Sequence, residues 1–310
     1  MTLDHTGIKR VACIGEAMIE LSPLSEGRAA MNIAGDVFNT AVYLRPSLPD
    51  TAIDFVTAVG DDQASDMILA AARNHGLGTG SIERRSGMSP GPYMIFTDDS
   101  GERSFSYWRA ASAARTLFET SGKITLSVMD SYDLVYLSGI TLAILSDPVR
   151  DALIEWASEY RKKGGRIAFD SNYRPALWCD RTDAQRVIER MWRQCDIALP
   201  SLGDENALFG AADEADVIDR LRDWGVTFGA LKRGGLGPLA LDGSGDLQQV
   251  TPVADVIDTT AAGDSFNAGL LAGLVAGKDT RGAMKQGHDL AARAIGHRGA
   301  IMPAAKTPSP

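Results

Sequence analysis

Short apolar runs, several closed by glycine, alternate with longer stretches whose apolar positions recur every three to four residues. Residues 10–15, 53–60, 133–139, 166–170, 197–200 and 228–231 are the runs, and each reads as a strand of a buried sheet. Residues 35–44, 61–76, 147–162, 265–275 and 278–296 carry the helical spacing; in the second of these, Met67, Ile68, Ala71 and Ala72 form the inner side. Asp147 and Pro148 read as the N-cap and first-turn pair of the third helix. This strand–helix alternation is interrupted near the N-terminus. Residues 16–22 alternate as a half-exposed strand, and Tyr93–Phe96 and Arg103–Trp108 alternate on either side of Asp98-Asp99-Ser100-Gly101, the composition of a hairpin. A small sheet projecting from a larger α/β body is the expected result. Residues 238–242 and 247–250 read as two further strands around the turn Asp242-Gly-Ser-Gly245, and residues 250–257 as a strand end broken by Pro252.

With 310 residues the chain has room for one large α/β domain or two small ones. Its formal charge of -9 and the lack of any Lys/Arg run argue against a nucleic-acid or anionic-membrane partner. The apolar helix after Asp264 is too short to span a bilayer, and residues 1–10 lack the apolar core of a signal peptide. Cys13, Cys179 and Cys195 are scattered and odd in number, which fits reduced thiols in a cytoplasmic protein. Gly269, Gly273 and Gly277 mark a helix face expected to pack closely on a sheet. The glycines of residues 76–80 lack a strand–turn–helix context and read as a plain connection.

The candidate chemistry centres on Asp258-Thr-Thr-Ala-Ala-Gly-Asp264, a small-residue turn that opens an apolar helix. Backbone N–H groups at a helix start lack intrahelical partners and attract anions. A carboxylate at that place is either a helix cap or a general base serving a hydroxyl while the amides of Ala261, Ala262 and Gly263 hold incoming charge. Asp36 and Asn39 lie three apart at another helix start, so both can face one cavity, or act as an N-cap and a buried amide. Arg109, beside Tyr107 and Trp108, offers a planar fork for a carboxylate, or stacks on a ring at the surface. Asp170, Asn172 and Arg174 follow a strand at its carboxyl end, where open α/β sheets place ligands. Lys232-Arg-Gly-Gly-Leu-Gly237 follows another strand and suits phosphates through its amides.

Residues 258–264 with the following Ser-Phe-Asn-Ala-Gly resemble the signature D-T-x-G-A-G-D of ribokinase-like (PfkB) sugar kinases, with Ala261 in place of its first glycine. One methyl there still allows amide donation and narrows the backbone angles available. Gly35-Asp36…Asn39, Tyr93-Met-Ile, Gly101-Glu-Arg-Ser-Phe and Tyr107-Trp108-Arg109 resemble, within that family, the kinases of 2-keto-3-deoxygluconate. The resemblance covers nearly the whole chain. It implies a three-layer αβα sandwich with a mostly parallel central sheet, formed as a single domain over residues 1–310, with a β-sheet lid from about 16–34 and 92–108.

It further implies transfer of the ATP γ-phosphoryl group to the 6-hydroxyl of that sugar acid. Asp264 would be the base, with Arg174 and Mg²⁺ balancing charge. Gly35, Asp36, Asn39, Tyr93, Tyr107, Arg109 and Asp258 would hold the sugar acid. Asn172, Lys232, Gly234, Gly235, Gly237, Ala262 and Gly263 would hold the nucleotide. Many relatives carry Asn-x-x-Glu where this chain has Ser201 and Asp204; Asp204, rather than Glu205, is expected to reach the metal through water. By analogy the protein is a homodimer, and monovalent-cation dependence stays open. A kinase of fructose, ribose or 2-keto-3-deoxygalactonate, and a non-catalytic sugar sensor of the same fold, are the alternatives.

Overall fold

Val11, Ala12, Cys13 and Ile14 are wholly inaccessible to solvent, which places β1 (Arg10–Ile14) in the middle of the molecule. The computed structural model describes residues 7–25, 27–97, 103–210, 213–247, 250, 253 and 256–303. After β1 the chain leaves the central sheet for β2 (Met18–Ser25) and β3 (Arg28–Ala34), and returns through α1 (Asp36–Leu44) to β4 (Ala52–Val59). Helix α2 (Gln63–Asn74) leads to β5 (Ile82–Arg84), and a second excursion forms β6 (Pro92–Thr97) and β7 (Arg103–Tyr107). There follow β8 (Leu134–Ser138), α3 (Gly139–Ile144), α4 (Asp147–Lys162), β9 (Arg166–Asp170), α5 (Arg181–Trp192) and β10 (Ile197–Ala198). Helices α6 (Leu202–Phe209) and α7 (Glu214–Asp223) precede the pair β11 (Ala230–Leu231) and β12 (Leu239–Ala240). Helices α8 (Ala262–Val275) and α9 (Thr280–Ala294) complete the described chain.

The central sheet has the order β10-β9-β8-β1-β4-β5, with every pair parallel. Alternate side chains of β1 enter different cores. Val11 and Cys13 join the apolar cluster under α1, α2, α8 and α9, whereas Ala12 and Ile14 join the one under α3 to α7. Helices cover both faces, so the architecture is the expected three-layer sandwich. A second sheet, β3-β2-β6-β7, is built from the two excursions; its one parallel pair, β2 with β6, joins them. The 98–101 turn, residues 248–249 of the expected 247–250 strand, and residues 251, 252, 254 and 255 of the 250–257 approach lie outside the described residues. No helix among the described residues is long and apolar enough to cross a membrane.

Several local expectations differ from the structure. Ser146, not Asp147, is the N-cap of α4, and Asp147 sits in its first turn. The small-residue face of α8 packs on another helix rather than on a sheet. A Cβ on Gly269 would lie 2.6 Å from Cα of Gly287, and one on Gly273 would lie 2.7 Å from Cα of Ala283. Backbones that approach this closely need hydrogen or methyl at the contact. Among the described residues of the 238–250 region, Leu239–Ala240 alone forms a strand, with one bridge from Leu239 to Asp246.

Candidate functional site

The carboxyl end of β9, the starts of α1 and α8, and the inner side of β6–β7 surround one cavity of about 1510 Å³. Sixteen of the residues expected at a site line it: Gly35, Asp36, Asn39, Tyr93, Tyr107, Arg109, Asn172, Arg174, Asp204, Lys232, Gly234, Asp258, Ala261, Ala262, Gly263 and Asp264. Gly235 and Gly237 are not on its wall; instead Gly237 turns at φ 77° beside Val250.

Helix α8 begins at Ala262, so Asp264 is the third helical residue and caps nothing. Its carboxylate accepts a 2.8 Å bond from Asn39 Nδ2, and Thr40 Oγ1 donates to its carbonyl oxygen at 3.2 Å. Asn39 reaches Asp264 because Gly35, not Asp36, occupies the N-cap position of α1 and the Gly35 amide orients the Asn39 oxygen at 3.3 Å. Asp264 opens to the cavity on one side and is enclosed by protein elsewhere. Burial, together with the nearby charges of Asp36 and Asp170, raises its pKa to about 8, against the opposing pull of the Asn39 bond and Lys232. A carboxyl poised near neutrality suits proton transfer.

The anion turn differs in detail from the expected one. The Ala262 amide donates to the Thr259 carbonyl at 3.2 Å, and the first intrahelical-type bond runs from Ser265 to Ala261. Among the described residues, the helix-start amides left without such a partner are those of Gly263 and Asp264. Ala261 adopts φ 60°, ψ 16°, the left-handed region that favours glycine. Ala261→Gly is therefore expected to keep activity. Relief of about 1 kcal/mol of backbone strain is offset by a similar gain in unfolded-chain entropy, leaving stability within about 1 kcal/mol. A melting curve and a turnover assay check it; a large loss of either would mean that the alanine methyl has a packing role.

Asp36 accepts from Ser138 Oγ at 2.6 Å and from Asn172 Nδ2 at 2.7 Å. Asn172, itself at φ 28° and braced by Asp170, thus faces the Asp36 side of the cavity, not only the glycine turn where a nucleotide was expected. Lys232 is turned inward. Its ammonium bonds Asp170 at 2.7 Å and Asn267 at 3.0 Å, close to Gly263. Arg174 pairs with Asp204 at 3.0 Å. Burial opposes the Arg174 charge, and Asp204, Asp36 and Asp170 outweigh it, so its pKa is raised. Glu205 is fully buried and committed to Arg220 at 3.1 Å, whereas Asp204 keeps a partly open face on the cavity. No group of three or more His, Cys, Asp or Glu among the described residues could cage a metal.

Two residues expected to hold a sugar acid are otherwise engaged. Both Asp258 oxygens accept backbone amides, from Thr260 at 2.8 Å and Gly299 at 2.6 Å, so this carboxylate ties the turn to the segment after α9. Arg109 lines the cavity but is buried and donates through Nη2 to Glu16, so it is not a free fork. Burial pushes the Glu16 carboxyl up, and Arg109 and Ser112 pull it back. Tyr93 donates to Glu20 and stacks on Tyr107 at 5.5 Å between ring centroids. Thr40, Ser138, Asn267, Glu16 and Glu20 were not anticipated. For Asn267 and Thr40 a signal existed, since each lies one helical turn beyond a candidate aspartate.

The model of the pfkB family of carbohydrate kinases matches residues 8–307. The chain is 40% identical over 308 residues to the 2-dehydro-3-deoxygluconokinase of Escherichia coli K12, covering 97% of this chain and 99% of that one. To the enzyme of the same name from Dickeya dadantii it is 39% identical over 310 residues, with 97% and 99% coverage. Among solved structures, the fructokinase of Vibrio cholerae O395 with fructose, ADP and calcium bound superposes with a TM-score of 0.81 at 22% identity, covering 95% of each chain. A fold shared along its full length, a family match of equal extent and relatives this similar agree: the chain belongs to the pfkB family of carbohydrate kinases.

Proposed function

We propose that this carbohydrate kinase transfers the γ-phosphoryl group of ATP to the 6-hydroxyl of 2-keto-3-deoxygluconate, the substrate class named for its relatives in E. coli and Dickeya dadantii. The observation that carries the chemistry is Asp264, with a pKa of about 8, beside the unpaired amides of a helix start. In its ionised form Asp264 takes the proton from the attacking hydroxyl; the new O–P bond forms as the bond to the ADP oxygen breaks. The amides of Gly263 and Asp264 and the positive end of α8 favour the charge that gathers on the phosphoryl group. Arg174 leaves or shares Asp204 to meet the same charge. Asp36, Asn39 and Tyr107 present hydrogen-bonding groups to the sugar, and the remaining edge of Arg109 meets its acid and keto end. Gly234 and Gly263 give close backbone approach to nucleotide phosphates, and Lys232 anchors that floor through Asp170 and Asn267.

A divalent cation fits the donor set only as one held by phosphates and water, with Asp204 as the nearby protein carboxylate. Bound there, it would supply charge neutralisation for phosphoryl transfer. An ATP donor is consistent with a cytoplasmic protein. The exposed Leu24, Met31 and Phe96 of the second sheet support a homodimer, which sedimentation would test.

The test is ADP release with Mg-ATP and, in turn, 2-keto-3-deoxygluconate, 2-keto-3-deoxygalactonate, fructose, ribose and gluconate. Turnover on 2-keto-3-deoxygluconate well above the rest is expected. Turnover confined to fructose or ribose would discard the sugar-acid reading, and silence on all five with nucleotide still bound would favour a sugar-sensing role.

A further inference from the structure

Four chain crossings connect the second sheet to the central one, and all of them meet at Glu16. The crossing from β1 to β2 carries Glu16 itself. At the crossing from β3 to α1, a Cβ on Gly35 would lie 2.1 Å from the Glu16 carbonyl oxygen. At the crossing before β6, a Cβ on Gly91 would lie 2.7 Å from Cβ of Arg109 and 3.2 Å from Glu16 Oε1. The crossing after β7 carries Arg109, whose Nη2 donates to Glu16 Oε2. Glycine is thus required at position 35 by the backbone of Glu16 and at position 91 by Cα and Cβ of Arg109, so both crossings close tightly around these two residues. The side chains of Arg109 and Glu16 are 8% and 1% exposed, and no other acid pairs with Arg109 among the described residues.

Glu16 does not line the cavity, whereas Arg109 does. An arginine beside an open pocket that also holds Asp36, Asp204 and Asp264 has several carboxylates to swing toward. Held through Nη2, it samples fewer orientations, and less side-chain entropy is lost when a ligand arrives. We propose that Glu16 is a positioning residue: it pins Arg109 at the junction of the two sheets so that the free edge of the guanidinium is aimed at the sugar acid. This rests on the reading of Arg109 as a sugar-acid contact.

A kinetic double-mutant cycle tests it, with E16Q, R109Q and E16Q/R109Q each checked for fold by near-UV circular dichroism. E16Q and R109Q are each expected to raise the sugar-acid KM about tenfold, with the KM for ATP changed less than about twofold. The double variant is expected to be no worse than R109Q alone, because Glu16 acts only through Arg109. E16D, charged but one methylene short, should fall between wild type and E16Q, and replaces E16Q in the cycle should that variant not fold. Effects that multiply independently, or an equal rise in both KM values, would mark Glu16 as merely structural and overturn the proposal. An unchanged sugar-acid KM in an active R109Q enzyme would instead remove the Arg109 reading, and this inference with it.

Discussion

Asp264→Asn is expected to lose turnover by about 10³-fold or more while sugar binding stays nearly intact, and to melt at a higher temperature than the wild type. The loss follows from removing the proton acceptor. The amide still accepts the Asn39 bond, so the pocket keeps its shape. The gain in stability follows from linkage. The folded protein holds the Asp264 proton up to about pH 8, whereas the unfolded chain releases it near the ordinary value of 3.8. The stability tied to that proton is complete below pH 4 and is lost as pH rises toward 8. An asparagine suffers no such loss, so the melting-temperature advantage of the variant should widen between pH 5 and pH 8. Because Asp264 is partly open to solvent, the advantage at pH 8 is on the order of 2 kcal/mol, or several degrees. Calorimetry across that pH range checks it. Loss of sugar binding together with turnover, or a variant less stable at every pH, would make Asp264 a structural residue.

Asp36→Asn should raise the sugar-acid KM by about 10- to 100-fold, since a charged acceptor for hydroxyl groups is replaced by a weaker one. The same substitution should alter the acid limb of the kcat/KM profile. In the wild type this limb reports the free-enzyme base, so kcat/KM should rise with pH up to about 8. After burial, the Asp36 charge is the largest influence raising the Asp264 pKa. Removing it should move the acid limb to lower pH, making the variant relatively more active near pH 6 than its weaker binding suggests. A limb that stays in place while KM rises would mean that another group titrates there, and the assignment of the base would fall.

Much of the architecture was legible in the order of residues, because burial imposes a local period. Strands enclosed on both faces, such as Val11–Ile14 and Leu134–Ser138, are continuous apolar runs, and the helices between them repeat every three to four residues. The turn of residues 258–264 could likewise be found from its small residues and its place before an apolar helix. Its conformation could not: whether Ala261 takes left-handed angles, and which amides stay unpaired, depends on where Thr259 and Ser265 lie once the helix docks.

What the tertiary structure alone decided is how the polar side chains share their partners. Asn39 and Asp264 are 225 residues apart, and Arg109 and Glu16 are 93 apart; no periodicity links either pair. From the sequence Arg109 read as a free fork and Asp258 as a sugar contact, because residue type shows what a group can bind and not what already binds it. Folding filled part of that capacity with Glu16 and with the amides of Thr260 and Gly299. The ionisation of Asp264 has the same origin. Its pKa sums burial and charges contributed by three other segments, around Asp36, Asp170 and Lys232, and that sum exists only after the central sheet has brought them to one end.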